Sequence, residues 1–225
     1  MVATPIGNRG DLSPRAAEIL RQSPVVVAED TRHSGRLLAA IGAHPRYISL
    51  PGEQEAQRIA RVLDALQEGD VALISDAGMP AVSDPGREVV DAARRAGFTV
   101  LAVPGPSAAV AAVAASGLRA DRFTFLGFPP RQRSKVLRLL DAAGAFAVVF
   151  YESPHRLATT LEWLAEPLGG RRLAVAREIS KLHETWYLGT AAQLARGFRE
   201  EPPLGECTVV VESPPRARAT RAQDG

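Results

Sequence analysis

Short apolar runs alternate with stretches of helical period from one end of this chain to the other. That alternation restricts it to an architecture of strands connected by helices. Val25–Ala28, Tyr47–Leu50, Val71–Ile74 and Thr99–Val103 read as short buried strands. Between them, Ser13-Pro14 pairs a cap residue with proline at a first helical position, and Thr31–Ile41 reads as a second helix. In a third, Glu53–Glu68, the residues Ala56, Ile59, Leu63 and Leu66 recur at helical spacing. This order predicts an α/β fold with a largely parallel sheet.

After Pro104-Gly-Pro-Ser107 the pattern changes. An Ala-rich helix, Ala108–Ser116, is capped by Ser107, and a strand at Arg122–Leu126 precedes a helix at Ser134–Ala142. The strand Ala147–Tyr151, the helix His155–Leu168 and the strand Leu173–Ala176 follow. A hairpin around Lys181–Leu188, a helix at Ala191–Phe198 and a strand at Cys207–Glu212 complete the second half. The expected domains are residues 1–106 and 107–212, with the boundary near Pro104–Ser116. The tail Ser213–Gly225 holds two prolines and three arginines without apolar periodicity, and is expected to be disordered.

Composition excludes several classes. The 225 residues, 46% hydrophobic and 23% charged, suit an ordinary globular chain. No apolar run approaches the roughly 20 residues of a membrane helix, and Arg9, Asp11 and Arg15 interrupt any secretory signal. A cytoplasmic protein with no membrane partner is expected. The single cysteine, Cys207, excludes an intramolecular disulfide and a cysteine-built zinc site, and four dispersed histidines make no metal cluster. All basic residues except Lys135 and Lys181 are arginines. That bias suits phosphate recognition, although GC-rich coding produces the same bias.

The segment Leu73-Ile-Ser-Asp-Ala-Gly-Met-Pro-Ala-Val-Ser-Asp-Pro-Gly86 carries two carboxylates, two serines, two prolines and two glycines directly after an apolar strand. An ordinary connection needs one Gly or Pro to turn. At the carboxyl end of a central strand, such a loop is where a small polar ligand binds. Thr4–Asp11 and Pro104–Ser107 follow strands in the same style. Proline holds φ fixed, and glycine lets the backbone approach a ligand. Ser107 also starts a helix whose N–H groups suit a carboxylate. Three such loops on one sheet edge imply a preformed pocket. The familiar alternatives, a G-x-G-x-x-G turn, a P-loop, H-E-x-x-H and G-x-S-x-G, are missing.

A series of motifs then appears in order: Val2-Ala-Thr-Pro-Ile-Gly-Asn8, Ala28-Glu-Asp-Thr-Arg-His33, Ser75-Asp-Ala-Gly78 with Ser83-Asp-Pro-Gly86, and Pro104-Gly-Pro-Ser107. Phe150-Tyr-Glu-Ser-Pro-His-Arg156, Ala176-Arg-Glu178 with Lys181, and Gly205-Glu206 complete it. From Val2 to about Glu212 the chain resembles the ribosomal RNA small subunit methyltransferase I family of the tetrapyrrole methylase superfamily. The resemblance implies a two-domain α/β class III methyltransferase with its cofactor cleft between the domains. It implies S-adenosylmethionine as cofactor, 16S rRNA of the small ribosomal subunit as partner, a homodimer, and no metal. The implied reaction is 2′-O-methylation of a decoding-centre cytidine.

By the same resemblance, the cofactor contacts are Pro5, Gly7, Ser75, Asp76, Ala77, Gly78, Met79, Ser83, Asp84, Pro104, Gly105, Ser107 and Ala108 on the first domain. Tyr151, Ala176 and Arg177 belong to the second. Asp76, with the backbone of Ala77 and Gly78, is expected at the methionine part, and Tyr151 near the adenosine. Asp76 alternatively caps its own turn. A base for the ribose hydroxyl is sought among Glu29, Asp30, Glu152 and His155, and the sequence does not choose among them. Asp30 alternatively caps a helix, and Ser153 with Pro154 reads as a second cap. Arg32, His33, Arg156 and Lys181 are the candidates for RNA contact, although for Lys181 a solvated surface residue is the favoured reading.

The chain departs from the family pattern in four places. It starts close to the Thr-Pro-Ile-Gly segment, which reads either as a short first strand or as a true start lying upstream, and Pro51–Glu55 replaces an element containing His and Asn. Met79 stands where threonine is usual, and a 13-residue tail stands where relatives often carry a small helical domain. Two rival functions stay open. One is a methyltransferase acting on a tetrapyrrole or other small molecule, against which Thr4–Asn8 lacks a Gly-x-Gly-Pro-Gly-Asp turn. The other is a non-catalytic RNA-binding assembly factor.

Overall fold

In the computed structural model, which describes residues 1–50 and 54–215, the chain forms two compact units. One comprises Met1–Ala111 with Ile179–His183; the other comprises Ala112–Glu178 and continues from Glu184. The start of the third helix at Glu53 and the tail from residue 216 onward lie outside the described residues.

The N-terminal unit is built from α1 (Pro14–Gln22), β1 (Val25–Ala28), α2 (Thr31–Ala40), β2 (Arg46–Ser49), α3 (Glu55–Glu68), β3 (Val71–Leu73) and α4 (Arg87–Arg95). Helix α1 starts as its sequence dictates: the Ser13 hydroxyl accepts from Ala16 N–H and Pro14 occupies the first turn. The strands run parallel in the order β2-β1-β3. Every residue of β1 is buried, as a central strand covered on both faces requires. The sheet continues through the chain's first residues, since Val2 N–H donates to Leu73 O at 2.9 Å and Val2 bridges Val103 in parallel.

The strand expected over Thr99–Val103 is reduced to its last residue. The facing pair is the bridge Val2↔Val103, and the Met1 amine donates to Leu101 O at 3.0 Å. A cavity of about 440 Å³ lies there, lined by Met1, Val71, Leu73, Val100 and Leu101 among others, and none of the strand-end loops reaches it. Helix α4 was not anticipated. Val89, Val90 and Ala93 carry its apolar side, but it emerges directly from Gly86 in the left-handed region (φ 119°) without a side-chain cap.

The C-terminal unit follows α5 (Ala108–Ala115), a helix shared between the two units. It comprises β4 (Phe123–Phe125), α6 (Arg133–Ala143), β5 (Ala147–Glu152), α7 (Pro154–Leu168), β6 (Arg172–Arg177), β7 (Thr185–Thr190), α8 (Ala191–Glu200) and β8 (Cys207–Val211). Its sheet order is β4-β5-β8-β6-β7. Only β4 and β5 are parallel; the other three pairings are antiparallel, so the expectation of a largely parallel sheet holds for the N-terminal unit alone. The returning strand β8 inserts between β5 and β6, and the β6–β7 connection is too short for a parallel crossover. The hairpin therefore turns across residues 178–184, upstream of its expected centre. Phe150, Leu157, Leu161, Leu173 and Val209 pack the core beneath α7 and α8.

Candidate active site

Because the strands of the N-terminal unit are parallel, their carboxyl ends share one edge, and the loops leaving them lie side by side. Backbone hydrogen bonds join these loops. Thr4 N–H donates to Gly78 O (2.9 Å), Gly78 N–H donates to Thr4 O (3.1 Å), and the buried Thr4 hydroxyl donates to Ser75 O (3.1 Å). The third loop is pressed onto them. A Cβ at Gly105 would lie 2.7 Å from Ala3 Cβ, and one at Gly78 would lie 3.4 Å from Pro106 O. Gly78 also sits at φ +79°, a conformation that disfavours a side chain. Ala81 and Ser83 adopt positive φ without being glycine, so the Ser75–Gly86 loop holds strained backbone of the kind found at functional sites.

Four carboxylates gather at this edge. Asp30 N–H donates to Asp76 Oδ1 at 3.2 Å, which ties the loop after β1 to the loop after β3. Burial raises the proton affinity of Glu29, and the charges of Asp76, Asp84 and Asp30 raise it further. Asp84 is raised by burial and by Asp76, against a hydrogen bond from the Ser75 side chain. Asp30 is shifted the other way, chiefly by the N–H of Arg32 and then by that of His33 and the Arg32 charge. Its carboxylate is the N-cap of α2, accepting from Arg32 N–H at 2.8 Å. The arrangement concentrates negative charge around half-buried groups and is complementary to an organic cation.

Lys181 belongs to this unit, and its aliphatic stem lies over Gly7, where any Cβ would collide with it. The neighbouring Ser180 hydroxyl donates to the Asp11 carboxylate. Pro5, Gly7, Ser75–Met79, Ser83, Asp84, Pro104, Gly105, Ser107 and Ala108 thus share one unit with Glu29, Asp30, Arg32, His33 and Lys181. Arg32 and His33 are exposed.

The C-terminal unit holds the other expected residues, and Glu152 and Arg156 there are engaged in internal bonds. Glu152 is not exposed to a substrate proton: it is 1% accessible, and its oxygens accept from the Thr160 hydroxyl (2.6 Å) and Ser153 N–H (2.9 Å). Arg156 is likewise engaged in internal bonds. Its Nη2 donates to Pro129 O (3.0 Å) and Pro130 O (3.1 Å), and its Nη1 pairs with Glu152 at 3.4 Å. Both groups are spent on internal bonds because a buried carboxylate needs donors and a cation near it. Ser153 occupies the cap position of α7 but makes no side-chain cap bond.

Tyr151, at the end of β5, packs against Phe125 (centroids 5.0 Å) and Phe128 (5.5 Å). Ala176 is buried in β6, and Arg177 Nε donates to Leu204 O. His155 is exposed on the first turn of α7. Sequence reasoning missed Thr4 and Thr160 as positioning residues. Thr160 lies on α7 and Glu152 at the end of β5, so no single period relates the two and only the fold brings them together.

The family model of tetrapyrrole (corrin/porphyrin) methylases matches residues 1–195. The chain is 42% identical to the ribosomal RNA small subunit methyltransferase I of Synechocystis sp., over 100% of this chain and 82% of that one. It is 41% identical to the protein of the same name from Thermotoga maritima, covering 94% and 96%. Among solved structures, a cobalt precorrin-4 methyltransferase superposes with TM-score 0.71 at 18% identity, covering 94% of this chain and 92% of that one. A uroporphyrin-III C-methyltransferase from Thermus thermophilus superposes with TM-score 0.64 at 26% identity, covering 94% and 92%. A structure of a Thermus thermophilus uroporphyrin-III C-methyltransferase with S-adenosyl homocysteine superposes with TM-score 0.61 at 19% identity, covering 93% and 94%.

Proposed function

The chain belongs to the tetrapyrrole methylase family and, within it, to the ribosomal RNA small subunit methyltransferase I group, and from that membership we propose that it methylates the 2′-oxygen of a decoding-centre cytidine in 16S rRNA, using S-adenosylmethionine. The substrate makes the cytoplasm its compartment. The observation that carries the reading is the carboxylate-rich edge where the Thr4 and Ser75–Gly86 loops are bonded backbone to backbone and the Pro104–Ser107 loop packs on them.

The residues present fit this cofactor. Gly105 leaves no room for a Cβ, Gly78 holds a positive φ, and Glu29, Asp76 and Asp84 favour a positively charged guest. Bound there, S-adenosylmethionine supplies an electrophilic methyl group on a sulfonium. Asp76 and the Ala77–Gly78 backbone would hold its cationic amino-acid end, with Pro104–Ala108 lining the same edge.

Asp30 is engaged as a helix cap and Glu152 is sealed, which leaves Glu29 and His155 as proton acceptors. Glu29 carries the role. Its surroundings raise its proton affinity toward that of a working base, and it borders the same carboxylates as the cofactor loops. The small-molecule alternative has less support, since the tetrapyrrole enzymes named above are at most 26% identical whereas the RNA enzymes exceed 40%.

The test is transfer of label from S-adenosylmethionine to small subunits taken from a strain lacking the modification, followed by nuclease digestion. Label on a cytidine 2′-oxygen is expected, with transfer by Glu29→Gln at least about a hundredfold slower. Cofactor binding without transfer to RNA would favour the small-molecule acceptor. No cofactor binding would favour the assembly factor.

A further inference from the structure

Phe128 is a large apolar side chain left in water: its ring is 60% exposed although the backbone around it is rigidly held. Gly127 turns the chain through positive φ (62°), and its carbonyl accepts from Tyr151 N–H at 2.9 Å. Pro129 and Pro130 follow, and Arg156 bonds both of their carbonyls. Arg156 is itself set against Glu152, which Thr160 and Ser153 hold. One side of the Phe128 ring rests on Tyr151, which in turn packs on Phe125. A buried polar network therefore fixes an exposed ring in place.

The segment that continues from it is cationic. Between Phe128 and Arg138 the sequence contains Arg131, Arg133, Lys135 and Arg138 and no carboxylate, in a chain whose formal net charge is only +2. All four are exposed. Arg133 is partly neutralised by Glu166 at 3.7 Å. Lys135 and Arg138 are three residues apart on α6 and so share a face of the helix, while Val136 and Ala143 are turned into the core. An immobilised aromatic face beside a row of cations is the combination that binds unpaired nucleotides. The base stacks at little entropic cost, and the cations meet the flanking phosphates.

We propose that Phe128 is a stacking platform for an unpaired base of the RNA substrate, with Arg131, Lys135 and Arg138 engaging the adjoining phosphates. The proposal rests on the RNA reading above. It makes the loop after β4 a substrate-positioning element and explains why the Glu152–Arg156 network is directed at that loop rather than at solvent.

The test compares Phe128→Ala and Phe128→Tyr in two assays: anisotropy with a labelled single-stranded RNA containing cytidine, and methyl transfer to unmodified small subunits. Phe128→Ala should weaken RNA binding about tenfold and raise KM for subunits more than it lowers kcat. Phe128→Tyr should stay within about twofold of the parent, because the aromatic face is retained. Arg131→Gln and Lys135→Gln should each flatten the slope of log K against log salt by about 0.7. Cofactor affinity should not change. Unaltered RNA affinity in Phe128→Ala, or equal losses in the Ala and Tyr variants, would overturn the proposal. If the parent binds RNA through Phe128 but transfers no methyl group, the methyltransferase reading fails while the platform stands.

Discussion

Thr160→Val tests whether Glu152 is held as the geometry requires. The Glu152 side chain is fully enclosed, and the Thr160 hydroxyl donates to it at 2.6 Å. Valine nearly preserves the volume of threonine, so the substitution opens little cavity and removes one charge-assisted hydrogen bond. Such a bond contributes about 1.5–3 kcal/mol, and water cannot replace it where both groups are at most 1% accessible. Ser153 N–H and Arg156 remain as partners, which keeps the loss nearer the lower figure. Both tryptophans, Trp163 and Trp186, lie in the C-terminal unit, so urea unfolding followed by tryptophan fluorescence reports on that unit. A destabilisation of about 1.5–2 kcal/mol is expected, with Thr160→Ser closer to the parent. A double-mutant cycle with Glu152→Gln should give a coupling above about 1 kcal/mol. Additivity within about 0.5 kcal/mol would refute the reasoning, because the two side chains would then not interact.

Three further outcomes are expected. Glu29 binds its proton more tightly in the folded chain than in the unfolded one, so its stabilising contribution is complete below the ordinary glutamate range and is lost as pH rises through the raised value. Glu29→Gln should therefore be more stable than the parent near neutral pH by roughly a few tenths of a kcal/mol, solvent screening the rest, and show no gain at about pH 4; chemical denaturation at the two pH values checks this. Gly105→Ala forces a Cβ against Ala3, which should cost about 1–3 kcal/mol and weaken cofactor affinity, measured by calorimetry. Burial pushes the Cys207 thiol up to about 11, so native protein near neutral pH should react with a thiol reagent on the order of a hundredfold more slowly than unfolded protein.

The elements that were legible carry local signals. Ser13-Pro14 announces α1 through a cap and a fixed φ, and the apolar run Val25–Ala28 is buried at all four residues. The Leu73–Gly86 loop was conspicuous for its turn residues, and its glycine and positive-φ positions are where the backbone demands them. Helix α4 was overlooked because it begins without a side-chain cap directly after that loop. The reduction of Thr99–Val103 to a single bridge depends on what lies beside it, which no property of those five residues encodes.

Taken by itself, the sequence determined the alternation of strands and helices, the positions of the three rigid loops, and the order of motifs that marks the family. These depend on residues adjacent in the chain, where period and turn chemistry act directly. Only the tertiary structure decided which charges meet. The Asp30 N–H reaches the Asp76 carboxylate, forty-six positions along, because parallel strands deliver both residues to one edge. The same folding set Glu152 and Arg156 against each other: a carboxylate enclosed in a low-dielectric interior must collect donors and a cation. A list of polar residues in a motif cannot distinguish a group that does chemistry from one that holds the wall in place, since burial and partners make that distinction and both are properties of the assembled fold.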